Sequence, residues 1–89
     1  MTARRPAEVF HPGEHLRDEL TERGWTQGDL AAILGRPVSL VNGIIMGKRG
    51  ISAKTAHGLA AAFGTSPEYW MNLDVAYQLW RAEQGGHRP

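Results

Sequence analysis

The stretch that most constrains this chain is residues 25–50, WTQGDLAAILGRPVSLVNGIIMGKRG, because it holds two short apolar runs with almost nothing between them. Thr26 is a residue type that caps helix N-termini, and Asp29 stands three positions later, close to a capping box. Gly35 ends the first run, and Pro37 is expected at the first position of the following helix. Two short helices joined by so few residues form a helix-turn-helix.

Cap and stop residues also predict three helices outside this stretch. Pro12 begins the first helix, Ser52 caps the fourth, and Ser66 with Pro67 opens the fifth. The predicted fold is therefore all-α, with five helices that include a helix-turn-helix. The predicted parts are a mobile tail at residues 1–9, one domain at 10–84 with a C-terminal dimerisation helix, and a disordered end at 85–89.

Apolar residues three and four positions apart predict the face that each helix turns to the core. In the helix-turn-helix they are Leu30, Ile33 and Leu34 in the first helix, then Val41, Ile44 and Ile45 in the second. In the fourth helix they are Ala56, Leu59, Ala60 and Phe63. These stripes are expected to be structural.

The opposite face of the helix that begins at Pro37 carries the residues expected to meet DNA bases, namely Val38, Ser39, Asn42 and Gly43. Asn42 could read adenine through two hydrogen bonds, Ser39 could pair with either kind of edge group, and Val38 could touch a thymine methyl. Gly43 would offer close approach without a hydrogen bond. The alternative for each position is a plain solvent-exposed residue.

Charge is segregated along the chain although the net charge is only +1. Residues 26–54 carry four cations against one carboxylate, a net charge of +3, whereas residues 14–23 and 65–84 each carry a net charge of −2. A basic zone confined to the helix-turn-helix is typical of a surface that meets phosphate. Chance segregation is the alternative in so small a chain. The acidic first helix is a candidate dock for a basic protein partner.

Four residues are predicted to contact DNA phosphates. Thr26 and Gln27 stand at the N-terminus of the first helix of the motif, where backbone N–H groups favour an anion. Lys48 and Arg49 follow the second helix as a basic pair. For Gln27 an ordinary exposed side chain remains the alternative.

The fifth helix carries two apolar rows rather than one. Tyr69, Trp70, Leu73, Ala76, Tyr77 and Trp80 form the first row, and Met71, Val75 and Leu79 form the second. A small domain needs one apolar stripe per helix, so the second row predicts a homodimer interface. The alternative is a helix covered on two sides by its own chain.

Several classes of site and location are disfavoured by the composition. The chain has no cysteine, and no segment is long and apolar enough to span a membrane, so we expect a cytoplasmic protein. His11 and His15 form an H-x-x-E-H spacing, but Pro12 and Gly13 place His11 before the helix, where the two rings do not converge on one metal. We expect no metal, no cofactor and, without a nucleophile and base pair or a phosphate-binding loop, no catalysis.

The motifs resemble those of the Xre/lambda-repressor-like family, through Gln27, Ala31, Gly35, Val41, Ile44, Gly47 and Lys48. More specific are L-G-R-P-V, N-G-I-I-x-G-K-R-G-I-S-A-K-T-A and F-G-T-S-P-E-Y-W-M-N-L-D-V-A-Y-Q-L-W. Together they are similar to HigA-type antitoxins of type II toxin-antitoxin modules, over about residues 10–80. Xre proteins in general often have polar residues at the two leading positions of this helix, where this chain has Val38 and Ser39, and Gly43 also lacks a side chain. Base readout would then be sparse, and backbone contact and DNA shape would carry more of the selectivity.

This resemblance implies a dimeric repressor that binds a palindromic operator in its own promoter and neutralises a HigB-type toxin, a RelE-like protein that cleaves RNA. Two other functions stay open. One is a stand-alone Xre-type transcriptional regulator with no toxin, and the other is a protein-interaction module that no longer binds DNA.

Overall fold

The computed structural model describes residues 10–86, and five helices make up its regular structure. They are α1 (Pro12–Arg23), α2 (Gln27–Leu34), α3 (Val38–Ile45), α4 (Ala53–Phe63) and α5 (Pro67–Gly86). This order confirms the predicted all-α fold with a helix-turn-helix at α2 and α3. The predicted tail and residues 87–89 lie outside the described residues. Within residues 10–86, no helix is both long and apolar enough to cross a membrane.

Local capping determines where most of the helices begin. The Thr26 hydroxyl accepts a hydrogen bond from the backbone N–H of Asp29 at 3.0 Å, and the Asp29 carboxylate accepts one from the Thr26 N–H at 2.8 Å. This is the complete capping box. His11 lies before α1, as predicted, and its Nδ1 accepts a hydrogen bond from the Gly13 N–H at 3.0 Å.

The turn between α2 and α3 depends on Gly35. Its φ of 67° lies in the left-handed region, where a Cβ is disfavoured. Its N–H donates to the Ala32 carbonyl at 3.2 Å, and the Arg36 N–H donates to the Ala31 carbonyl at 3.0 Å. These bonds fix the angle at which α3 leaves α2, while the small Ala31, only 6% exposed, lets the helices pack closely.

Two helix ends differ from the prediction. Pro37 is the N-cap of α3 rather than its first residue, because its ψ of 148° is extended. At the other end of the chain, α5 runs to Gly86 instead of ending near Glu83. Two glycines weaken a helix by about 1 kcal/mol each, but they do not block its hydrogen bonds.

The core contains residues from all five helices, and Trp70 is the largest fully buried side chain in it. Trp70 Nε1 donates to the Thr65 hydroxyl at 2.8 Å, so the one polar atom of the ring is satisfied. Trp25, predicted as a core anchor, is half-buried and stacks on Phe63 with ring centroids 5.6 Å apart. The fully buried residues besides Trp70 include Leu16, Leu30, Val41, Ile44 and Leu59.

The predicted core position of Ile33 is wrong, because this residue is 52% exposed. Ala31 and Leu30 form the buried side of α2, and Ile33 points about 60° from Leu30 on its other side. A helix of two turns contacts its neighbours over a narrow face, and in α2 that face includes Ala31 rather than Ile33.

Candidate nucleic-acid interface

The exposed face of α3 consists largely of the residues predicted to meet DNA bases. Val38 is 50% exposed, Ser39 and Asn42 are exposed, and Gly43 is half-buried. The opposite face is closed, because Leu40, Val41, Ile44 and Ile45 are all buried. The helix therefore offers one face, about two turns long, to a groove.

A hydrogen bond links the two helices of the motif across this surface. Asn42 Nδ2 donates to Gln27 Oε1 at 3.2 Å. The bond leaves Asn42 with its carbonyl oxygen and a second N–H hydrogen, the pair that a bidentate contact to adenine requires. It also leaves the amide N–H groups of Gln27 free for a phosphate. The sequence placed both residues on the interface but did not predict that they would be bonded to each other.

The N-terminus of α2 is open to an anion. Thr26 is exposed, and its oxygen is already the acceptor of the capping bond. The hydroxyl hydrogen remains free to donate to a phosphate oxygen. The first backbone N–H groups of α2 lie beside it, with the positive end of the helix dipole. Thr26 and Gln27 therefore stand together where a DNA strand could cross.

The space above Gly43 is not open. A Cβ at Gly43 would lie 2.7 Å from Arg49 Cδ and 2.9 Å from Arg49 Cγ, because the alkyl part of the Arg49 side chain lies across this residue. DNA could approach the Gly43 backbone closely only if this side chain moved, and the predicted contact at Gly43 stays a prediction. In the structure Gly43 makes room for an arginine that comes from outside the helix.

The loop after α3 adds cations beside this face. Lys48 and Arg49 are both exposed. They border a cleft of about 100 Å³ that Arg81 from α5 and His11 also line, together with Asp74. Arg81 belongs to a segment whose net charge is negative, so sequence alone gave no sign that it joins the basic pair.

The second apolar row of α5 is only partly free. Met71 is half-buried and packs against the core. Val75 is 49% exposed and Leu79 is 66% exposed. Leu79 follows Trp70 by nine residues, which places it about 180° around the helix from the buried indole. The exposed apolar surface on this side of α5 is therefore centred on Val75 and Leu79.

The His11 imidazole is engaged in local structure. Its Nδ1 caps α1, its Nε2 lies 3.9 Å from the Glu14 carboxylate, and its ring contacts that of Tyr77 with centroids 5.6 Å apart. Among residues 10–86, no three His, Asp or Glu side chains are grouped closely enough to hold a metal ion.

Comparison with known proteins places this arrangement among regulators. A helix-turn-helix family model matches residues 16–70. Antitoxin HigA-1 of Vibrio cholerae is 40% identical over 80 residues, which cover 89% of this chain and 72% of that protein. Virulence-associated protein I of Dichelobacter nodosus is 43% identical over 77 residues, covering 85% and 71% of the two chains.

One solved structure is similar to this chain in fold as well as in sequence. The antitoxin HigA of Pseudomonas aeruginosa, solved with the higBA promoter, superposes with a TM-score of 0.84. It is 42% identical, and the match covers 88% of this chain and 86% of that one.

Proposed function

Because this chain belongs to the helix-turn-helix family and, within it, to the HigA-type antitoxins, we propose that it binds operator DNA as a dimer and represses its own promoter. We propose further that it neutralises a HigB-type toxin. The proposal of DNA binding rests on the exposed face of α3. This face lies between the N-terminus of α2, where backbone N–H groups can bind a phosphate, and the exposed cations Lys48 and Arg49.

In the proposed complex α3 lies in the major groove. Asn42, held by Gln27, reads an adenine, while Ser39 and Val38 touch neighbouring base edges. Thr26, Gln27 and Lys48 hold the backbone on either side. We propose accordingly that the protein is located in the cytoplasm and that its DNA-bound fraction is associated with the nucleoid.

DNA binding is tested by titrating the purified chain against its own upstream promoter at several salt concentrations. We expect tight binding that weakens steeply with salt, because each phosphate contact releases a counterion. Lys48→Ala should weaken binding to every sequence and flatten the salt slope by about one. Equal affinity for the promoter and for random DNA would contradict the proposal.

The exposed apolar patch of Val75 and Leu79 supports a homodimer that uses this side of α5. Two copies related by a twofold axis would present two α3 helices to half-sites about one helical turn apart, ~34 Å. Met71, Val75 and Leu79 are the proposed interface residues, with Met71 at its edge because part of it packs inward.

Sedimentation of Leu79→Glu tests this interface. We expect the variant to sediment as a monomer, because a carboxylate would be buried in an apolar contact. Gln78→Glu is the matched control, since it adds the same charge at the neighbouring exposed position. A Leu79→Glu protein with the mass of the wild type would exclude this surface as the dimer interface.

The toxin partner is proposed from the HigA relatives, and the acidic side of α1 is the proposed dock for a basic toxin. Asp18 and Glu22 are exposed one turn apart on this helix. Replacing both with lysine should abolish capture of the toxin encoded beside the gene and restore growth arrest on co-expression. Glu68→Lys, exposed at the start of α5, is the control. A chain that binds its promoter but captures no neighbouring protein would be a stand-alone Xre-type regulator.

A further inference from the structure

Arg49 is held against the recognition surface by two independent contacts with Gly43. Its side chain lies across the glycine, so that a Cβ there would come within 2.7 Å of Arg49 Cδ. Its backbone N–H donates to the Gly43 carbonyl at 3.2 Å, beside the Lys48 N–H, which donates to the same oxygen at 2.8 Å. The Arg49 backbone is therefore bonded to α3, and the stem of its exposed side chain lies against α3 at Gly43.

Gly43 lies on the part of α3 that faces away from the core. It follows Ser39 by one helical turn, so the two residues are neighbours on the same face. A recognition helix normally fills such a position with a side chain of its own, and here the helix has none. The Arg49 stem occupies that space, so a guanidinium that extends from this stem can reach the base-facing row.

A guanidinium so placed suits base recognition better than a phosphate contact. A contact to phosphate needs only a mobile cation at the edge of the groove, which exposed Lys48 already supplies. The planar fork of arginine matches O6 and N7 of guanine, the commonest specific contact in the major groove. Holding the stem in advance also lowers the entropy lost on binding.

We propose that Arg49, seated on Gly43, reads a guanine in each half-site and is a specificity-determining residue of this protein. The proposal rests on the proposed operator binding. It replaces the phosphate role that the sequence suggested for Arg49, and it gives Gly43 a positioning role instead of a base contact.

The test compares variants on the operator and on a set of duplexes in which each base pair is replaced in turn. Arg49→Lys keeps the charge but loses the fork, so it should lose roughly 5- to 150-fold of discrimination at one G·C pair per half-site. Its salt slope should stay that of the wild type. Gly43→Ala keeps Arg49 but places a methyl group where the Arg49 stem lies. This variant should lose the same discrimination at the G·C pair, while circular dichroism shows an unchanged helix content.

Lys48→Ala is the matched control, and it should weaken all duplexes equally. If Arg49→Lys keeps the wild-type preference at every base pair, or if Arg49→Ala weakens all duplexes equally, Arg49 is a phosphate contact and the proposal is overturned while operator binding stands. Wild-type protein that binds operator no better than random DNA would overturn both.

Discussion

The hydrogen bond between Asn42 and Gln27 leads to a quantitative prediction about DNA binding. Asn42→Ala removes the proposed bidentate base contact, which would be worth about 1–3 kcal/mol of discrimination at one base pair. Gln27→Ala removes the proposed phosphate contact and also the Oε1 atom that accepts the hydrogen bond from Asn42 Nδ2 at 3.2 Å. Because both single substitutions break the same bond, the double substitution should cost less than the sum of the two.

The size of this shortfall follows from the bond itself. Both residues are neutral, and a hydrogen bond between neutral groups contributes about 0.5–1.5 kcal/mol net. Bound DNA would exclude water from the pair, so we expect a coupling energy of about 1 kcal/mol, or about fivefold in the dissociation constant. Fluorescence anisotropy of labelled operator at one fixed salt concentration measures the four dissociation constants.

A control cycle makes the result decisive. Gln27→Ala combined with Lys48→Ala removes two proposed phosphate contacts at opposite ends of the motif, so the two free-energy costs should add within about 0.5 kcal/mol. If the Gln27 and Asn42 costs add equally well, the bond does not operate in the complex, and the account of how Asn42 is oriented is wrong.

Three further predictions concern stability and are measured by thermal or urea unfolding. Gly13→Ala should destabilise the protein by about 1–3 kcal/mol, because the new Cβ would clash with the Ile44 carbonyl oxygen. Gly28→Ala, whose new Cβ would have its nearest neighbour at 3.7 Å, should be neutral or stabilising. Equal effects of the two substitutions would refute the close crossing of α1 and α3. Thr26→Ala should cost about 1 kcal/mol through loss of the capping box, and no change would mean that the cap is not formed in solution. Leu59→Ala should cost about 2–5 kcal/mol, since Leu59 is 0% exposed, and a cost below this range would place it outside the core.

Features decided within a few residues could be predicted from sequence. The start of α2 depends on Thr26 and Asp29, and its end depends on Gly35, so both were readable without knowledge of the fold. The same holds for the exposed face of α3, because its four buried residues are themselves spaced as one apolar stripe. Ile33 was misplaced because periodicity alone does not tell which flank of Leu30 its neighbours cover.

Features that depend on how distant segments meet could not be predicted. Arg81 reaches the cleft beside Lys48 only because α5 packs beside the loop at residues 47–50, which follows α3. Arg49 lies on Gly43 only because the loop turns back along the helix that it follows. The helical angle of Met71 places it in one row with Val75 and Leu79, yet in the folded chain Met71 packs against the core.

The central claim is that α3 enters the major groove of two half-sites, and dimethyl sulfate protection of the operator tests it most directly. This reagent methylates guanine at N7 in the major groove and adenine at N3 in the minor groove. We predict protection of guanine N7 in two patches centred about one helical turn apart, ~34 Å, with adenine N3 still reactive there. Protection confined to adenine N3, or no protection under conditions of full binding, would contradict the claim.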